Sequence, residues 1–495
     1  MLLSFSSYTK KALAIAGLCW ISSMTYVIKG QDNTQYPLTE IPQTIYLNPA
    51  IHYKCRTYIE LPVISSIGFY YNNSGFGYNQ AIKSGYGTTS DSLTVDFDRL
   101  SRVLHNKNNI STGIRFSILG AGFARGDYYF SFNISNRTQT RLSFTRDVIG
   151  LKDGNWDVAN DLPRQLVLNG TGINVQSFFE ISAGASKRLF DYLSAGIRAK
   201  YLIGSANLQT RRSDLSLQTS TGPIVLTGIS DITLRSSFPA DISYDNNGYV
   251  TGIDVSRAGS NIVQNYIFNG NHGIAFDAGV IYDYSDQITL SASLLDLGFI
   301  RWKGNTNQFT EQGSFIFNGI DLNQYFQNPG ETNLLQALTD SISNSFQFDN
   351  STKKYFTFLS PQLFLSGQYK INDHYQAGLV SHTQFYGGQV HTSLTLSATA
   401  RPLSWVTGSL SWSAMNNSLM NLGAALVLGN KGTQFYFVTD NIPLRWVKLA
   451  DSNLIWPYSA RTFSFRFGLN LLFGCTEEKQ GWKGKNNSKL CPAYQ

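Results

Sequence analysis

Between residues 460 and 473, apolar and polar residues alternate one by one. Phe463, Phe465, Phe467, Leu469, Leu471 and Phe473 fall on one face, and Ser464, Arg466, Gly468 and Asn470 on the other. A period of two over such a length excludes a helix and predicts a strand with one apolar and one polar face. The pattern recurs. Leu394, Leu396, Ala398 and Ala400 alternate with Ser393, Thr395, Ser397 and Thr399; Val406, Leu410 and Trp412 with Thr407, Ser409 and Ser411; Ile274, Phe276, Ala278 and Val280 with Gly273, Ala275, Asp277 and Gly279; and Tyr128, Phe130, Phe132 and Ile134 with Ser131, Asn133 and Ser135. These segments run to about 10–14 residues, against ~5–6 for a globular strand. A tilted strand crossing a bilayer needs ~9–11.

Two architectures satisfy such strands, a soluble sandwich array with apolar faces inward and a transmembrane β-barrel with apolar faces outward. Composition separates them. Charged residues are 14% of the 495-residue chain and aromatic residues another 14%, where a soluble domain carries roughly 25% charged residues. Outside the first 30 residues no apolar run reaches 18, which excludes a polytopic helical membrane protein. Tight turns at 125–127, 188–191, 284–286, 371–373, 401–404 and 430–432 alternate with longer connections, notably 207–271 and 300–357. Short turns on one side and long loops on the other are the habit of outer-membrane barrels. The expected fold is therefore all-β, an antiparallel transmembrane barrel. Its strands read 61–71, 111–124, 128–146, 173–187, 192–206, 272–284, 287–299, 358–370, 374–386, 389–401, 405–416, 418–429, 433–442 and 460–473, about fourteen. Residues 92–106 are the best helical candidate and lie in the first external loop.

The ends suggest processing. Residues 1–30 carry Lys10 and Lys11, then the apolar run Ala12 to Met24, and no acidic residue, the layout of a secretory signal peptide. Cleavage between Gly30 and Gln31 removes Lys10, Lys11 and Lys29 and lowers the formal charge from +7 to 7 − 3 = +4, too small a bias to imply a nucleic-acid partner. The expected division is a signal peptide at 1–30, an N-terminal hatch or plug at 31–60, a barrel at 61–474 and a polar tail at 475–495. Cys55, Cys475 and Cys491 remain. Cys475 and Cys491 bracket the tail and form a candidate disulfide, and the odd count leaves the pairing open.

On the expected lumen face stand Arg115, Glu180, Arg198, Lys200, Asp277, Asp283, Lys370, His382 and Arg466. Charges inside a closed barrel must be paired or hydrated. Mixed signs favour a structural filling, and the alternative is a polar conduction path. Arg137 and Thr138 are read as interrupting the third strand's apolar face, where a bend would open a lateral gap. None of the six histidines belongs to an HExxH spacing, and no GxSxG or P-loop spacing occurs. The expectation is no enzyme, no cofactor and no metal.

Several motifs go further than the fold. Leu47-Asn48-Pro49-Ala50, Ile59-Glu60-Leu61-Pro62, Asn73-Ser74-Gly75-Phe76, Ser291 to Trp302, Gly387 to Leu396, Asp440-Asn441-Ile442-Pro443 and Phe465 to Gly474 together resemble an uncharacterised outer-membrane barrel family of Bacteroidota. More distantly, Asn48-Pro49-Ala50 and Leu294-Leu295-Asp296-Leu297-Gly298 resemble the FadL-type transporter superfamily, which includes the PorV-like shuttle barrels of type IX secretion. The resemblance implies a monomeric barrel in the cell outer membrane, in contact with its lipid, with Asn48, Pro49 and Ala50 in the hatch. It implies passive transport of a small hydrophobic molecule. The alternative is a non-transporting partner subunit that docks secreted or surface proteins through the polar loops 207–271 and 300–357. Asp91-Ser92-Leu93 and Asp340-Ser341-Ile342 resemble the O-glycosylation sequon of Bacteroidota.

Overall fold

The computed structural model describes residues 32–475, apart from 85–92, 154–155, 158–161, 164, 220–225, 247, 260, 317–346, 387–388, 416–417, 444–445, 449–454 and 459–460. The signal segment, Cys491, the tail and the sequon residues Asp91, Ser92 and Asp340 to Ile342 lie outside the described residues.

The alternating segments form one closed antiparallel barrel of fourteen strands. In order they are Cys55–Glu60 continued by Ile67–Asn73, Lys107–Arg125, Tyr128–Thr145, Gly172–Phe190, Leu193–Thr219, His272–Asp283, Ile288–Trp302, Tyr355–Phe358 continued by Gln362–Lys370, Tyr375–Tyr386, Gln389–Leu403, Val406–Met415, Ser418–Leu428, Gly432–Asn441 and Thr462–Cys475. The sheet closes where the first strand lies between the last and the second, with Ile67 opposite both Phe467 and Phe116. Closure leaves no unpaired edge, which is what a sheet in hydrocarbon requires. Among the described residues no helix is long and apolar enough to cross a membrane.

Which way the faces point is decided by exposure. Ile197 (69%), Leu410 (68%), Phe276 (54%) and Leu396 (50%) stand on the outer surface, while their polar neighbours Arg198, Ser409, Ser411, Asp277 and Ser397 are buried inside. An apolar belt around a filled polar interior is that of a transmembrane barrel and excludes the soluble sandwich.

Four expectations change. The barrel begins at Cys55, inside the stretch assigned to the hatch. Residues 61–66 then bulge and expose Val63 and Ile64, while Val63 N still donates to Ser117 O and Ile64 O accepts from Leu469 N. The connections 207–271 and 300–357 are in part sheet: Leu193–Thr219 runs past the barrel and pairs with Leu226–Ser237, which pairs in turn with Thr306–Ile316. The third strand has no lateral gap, because Arg137 pairs with both Arg115 and Phe178 in continuous ladders. Finally, Cys475 bonds to Cys55, its register partner across the closing seam, and not to Cys491. Phe97–Val103 is helical as expected, with Asp96 as the N-cap that accepts from the Arg99 amide; Leu93–Val95 before it is a strand.

Candidate functional site

Residues 32–54 turn back into the barrel and fill its tight-turn half. Their apolar side chains build three cores with the wall: Ile45, Ile51 and Tyr53 with Tyr58, Tyr129 and Leu472; Leu38 and Ile41 with Val427, Tyr436 and Val438; Tyr36 and Leu47 with Leu295, Phe364 and Val380. Pro42–Tyr46 is a short 3-10 turn. Tyr36 stacks on Phe364 at 4.7 Å, and Phe364 stacks on His382 at 4.1 Å. His382 is thus buried in the lumen as expected, as the far plate of an aromatic stack, with Nε2 3.1 Å from Gln362 Oε1.

Asn48 and Pro49 rest in a notch of the wall. Gly196 and Gly279 are register partners on the fifth and sixth strands. A Cβ on Gly196 would collide with the Pro49 carbonyl, and one on Gly279 with the Asn48 side chain. Two facing glycines therefore make room for the segment's backbone. Asn48 Oδ1 accepts from the Ala50 amide at 3.0 Å, and its Nδ2 donates to the Tyr36 hydroxyl at 3.2 Å.

Polar groups complete the seam. Glu60, fully buried where the first strand breaks, accepts from Tyr46 (2.8 Å), Asn133 (3.0 Å), Gln43 (3.1 Å) and Ser117. It has room because it faces Gly120. Asp440 accepts from the amides of Asp32 and Thr34 at 2.9 and 2.7 Å. Glu40 pairs with Arg401 Nε at 2.6 Å. Arg466 donates to Gln35 and pairs with Asp32, each at 2.5 Å.

Above this segment lies a buried ion-pair layer. Arg137 grips Asp296 in a two-point contact, both bonds 3.0 Å, and reaches Glu180 at 3.3 Å. Lys200 touches Asp296 at 2.6 Å and Asp277 at 2.8 Å. Arg198 donates to Asp277 at 2.7 Å and to the Tyr46 carbonyl at 2.8 Å, which ties the layer to the segment below. Arg115 approaches Glu180 only at 3.8 Å.

Of the nine expected lumen residues, the layer thus gathers Arg115, Glu180, Arg198, Lys200 and Asp277, while Arg466 and His382 lie in the lumen beside it. Asp283 and Lys370 do not belong. Asp283 is exposed and accepts from Thr289 at 2.7 Å, and Lys370 is exposed and pairs with Asp373 at 2.8 Å. Both sit at the tight-turn rim, past the point where the alternating face still looks inward. Asp296 was missed because the seventh strand slips by one residue there. Asp296 has φ +61° opposite a register shift, so Leu295 and Asp296 both turn inward. The doubled Leu294-Leu295 just before the acid is the one sequence signal of that slip.

The cavity between segment and ion pairs measures about 60 Å³ and is lined by Arg115, Arg137, Arg466, Asp296, Gln35 and His382 among others. It admits a few waters, since one water centre takes ~10–15 Å³, whereas ligand pockets run to roughly 300–1,000 Å³. Among the described residues, the N-terminal segment and the ion-pair layer leave no ligand-sized space in this cavity. Among the described residues, no group of three or more His, Cys, Asp or Glu is placed to hold a metal ion.

A family model matches residues 49–440, spanning most of the barrel. The chain belongs to the family of unknown function DUF5723. No curated protein matches. Among solved structures this DUF5723 chain is similar to the Ralstonia pickettii toluene transporter TbuX, at 9% identity and a TM-score of 0.42, covering 88% of this chain and 94% of that one. A Pseudomonas aeruginosa FadL homologue matches at 9% identity and a TM-score of 0.39, with 88% and 94% covered. The Pseudomonas putida toluene transporter TodX matches at 8% identity and a TM-score of 0.37, with 90% and 93% covered.

Proposed function

We propose that the chain is an outer-membrane channel for a small molecule, closed by residues 32–54 acting as a hatch. The observation that carries this reading is how the hatch is attached. It enters from one covalent root, between Lys54 and Cys55. Many of its contacts with the wall are hydrogen bonds and ion pairs, including those of Asp32, Thr34, Glu40, Gln43 and Tyr46. Water can take over such polar contacts, at a net cost of roughly 1.5–3 kcal/mol for a bond to a charged group and ~1 kcal/mol for a neutral one such as Asn33 to Ser393. The wall behind is largely hydrophilic, as the interior of an open barrel must be.

Apart from the wall patches under the hatch, a hydrophobic cargo would meet one further apolar cluster inside, itself buried in this conformation. Phe178, Leu202, Ala275, Ile300, Trp302 and Leu359 cluster on the fourth to eighth strands. Asn48-Pro49-Ala50 acts here as the wedge that seats the hatch in the Gly196–Gly279 notch. Orientation follows the same logic: tight turns and the Cys55–Cys475 bond face the periplasm, and the extended strands face outward.

The test is permeation through the mature chain in liposomes, with a small sugar and a small neutral aromatic as solutes. Deleting residues 32–47, which keeps the disulfide, should raise the rate for at least one solute over the intact chain. A deleted barrel that still shows heat-modifiable migration yet passes neither solute would overturn the reading.

A further inference from the structure

Three arginines stand side by side across the wall. In register, Arg466 faces Gly68, Gly68 faces Arg115, and Arg115 faces Arg137. All three line the cavity above residues 32–54. Neighbouring strands lie ~4.8 Å apart, so the row places three guanidinium groups on one level, with Gly68 in its middle and the Arg466 side chain lying over it.

Their partners are unequal. Glu180, Asp277 and Asp296 serve four cations, Arg115, Arg137, Arg198 and Lys200. Arg137, Arg198 and Lys200 take the close contacts. Arg115 is left with Glu180 at 3.8 Å, beyond hydrogen-bond distance. Arg466 is neutralised by Asp32, a residue of the N-terminal segment held at φ +71°. The amide nitrogen of Gln35, a buried residue lining the same cavity, has no hydrogen-bond partner. A donor left without an acceptor in a buried site costs free energy that an arriving acceptor recovers.

We propose that this row is a binding site for a small oxyanion, a carboxylate or phosphate group, on Arg115 and Arg466, and that the Asp32 carboxylate occupies part of it in the closed state. Guanidinium groups suit this role because their planar N–H forks match carboxylate and phosphate oxygens. An entering anion takes Arg466 from Asp32 and so loosens the N-terminal end of the segment. The site belongs to the proposed channel, but binding and permeation fail separately.

The test is equilibrium binding to the detergent-solubilised mature chain at fixed ionic strength, with succinate and inorganic phosphate as probes. Saturable binding of either is expected, at least about tenfold tighter for Asp32→Asn, which removes the internal competitor, and about tenfold weaker for Arg115→Gln. Which probe binds better tells carboxylate from phosphate recognition. Absence of saturable binding of both probes to Asp32→Asn would overturn the proposal, as would equal affinity in Arg115→Gln and the parent. Heat-modifiable migration of each variant checks that the barrel has closed. Permeation that persists without any binding would remove this site and leave the channel standing.

Discussion

Two walls of the same lumen hold the N-terminal segment in different ways. The wall from the third to the seventh strand presents Arg137, Glu180, Arg198, Lys200, Asp277 and Asp296, charges that satisfy one another behind the segment. The wall of the tenth and eleventh strands presents chiefly hydroxyls, Ser393, Thr395, Ser397, Thr399, Ser409, Ser411 and Ser413, with Arg401 on Glu40 at its tight-turn end. Against the charged wall the segment lays its backbone, with the Leu47 carbonyl accepting from Ser293 at 2.6 Å and the Tyr46 carbonyl from Arg198. Against the hydroxyl wall it lays side chains: Asn33 donates to Ser393 at 2.9 Å, and Thr34 Oγ1 lies 2.7 Å from Ser411 Oγ. A buried charge network has one good arrangement, because any displaced ion is left uncompensated. A row of hydroxyls offers interchangeable partners of similar worth, and water is one of them. The fixed side therefore holds residues 46–50, and the exchangeable side holds the side chains of Asn33 and Thr34, whose neighbours Asp32 and Gln35 lie on Arg466 and Tyr36 on Phe364.

The largest effect should come from breaking the fixed wall. Asp296→Ala removes the two-point partner of Arg137 and one of the two close contacts of Lys200, and a loss of about 3–5 kcal/mol is expected, read as a lower urea midpoint for the refolded barrel. A loss under about 1 kcal/mol would mean that the network is not the rigid element described. Next comes the notch. Gly279→Val forces a side chain against Asn48 at a cost of about 1–3 kcal/mol, so trypsin should cut after Lys54 faster while heat-modifiable migration is retained. Unchanged cleavage would show that the notch does not seat the segment. The smallest effect belongs to the hydroxyl wall, where Ser411→Ala should cost about 0.5–1.5 kcal/mol. Hydrogen exchange compares the two walls directly, and the amides of residues 32–36 should exchange before those of 46–50. The reverse order would invert the comparison.

The barrel itself was legible in the sequence because period two survives everywhere that a strand touches lipid on one side. Strand number and tight turns follow from that alone. What was not legible depends on register. Cys55 meets Cys475 only once the first and last strands close with one particular offset, a relation with no trace in sequence spacing. Asp296 needed a one-residue slip that a regular alternation conceals. Arg137 was visible but assigned to the wrong face: counted from Tyr129 through Ser131, Asn133 and Ser135, it continues the inward set. Asp283 and Lys370 err in the opposite sense, since their phase is right but the strand has already left the lumen. The charged pairs follow the same rule. Arg198 and Asp277 are opposite each other in register, yet nothing in either strand's own sequence names its neighbour.

The Cys55–Cys475 bond gives the molecule the topology of a lasso. It joins two residues 420 positions apart, turning residues 55–475 into one covalent ring, and residues 32–54 are a tail threaded into the hole of that ring. The tail's root is fixed at the clasp, so residues 32–54 stay tethered to the seam wherever they move in the lumen. The clasp also joins the first strand made to the last, so an oxidised molecule is one in which both ends of the sheet have met.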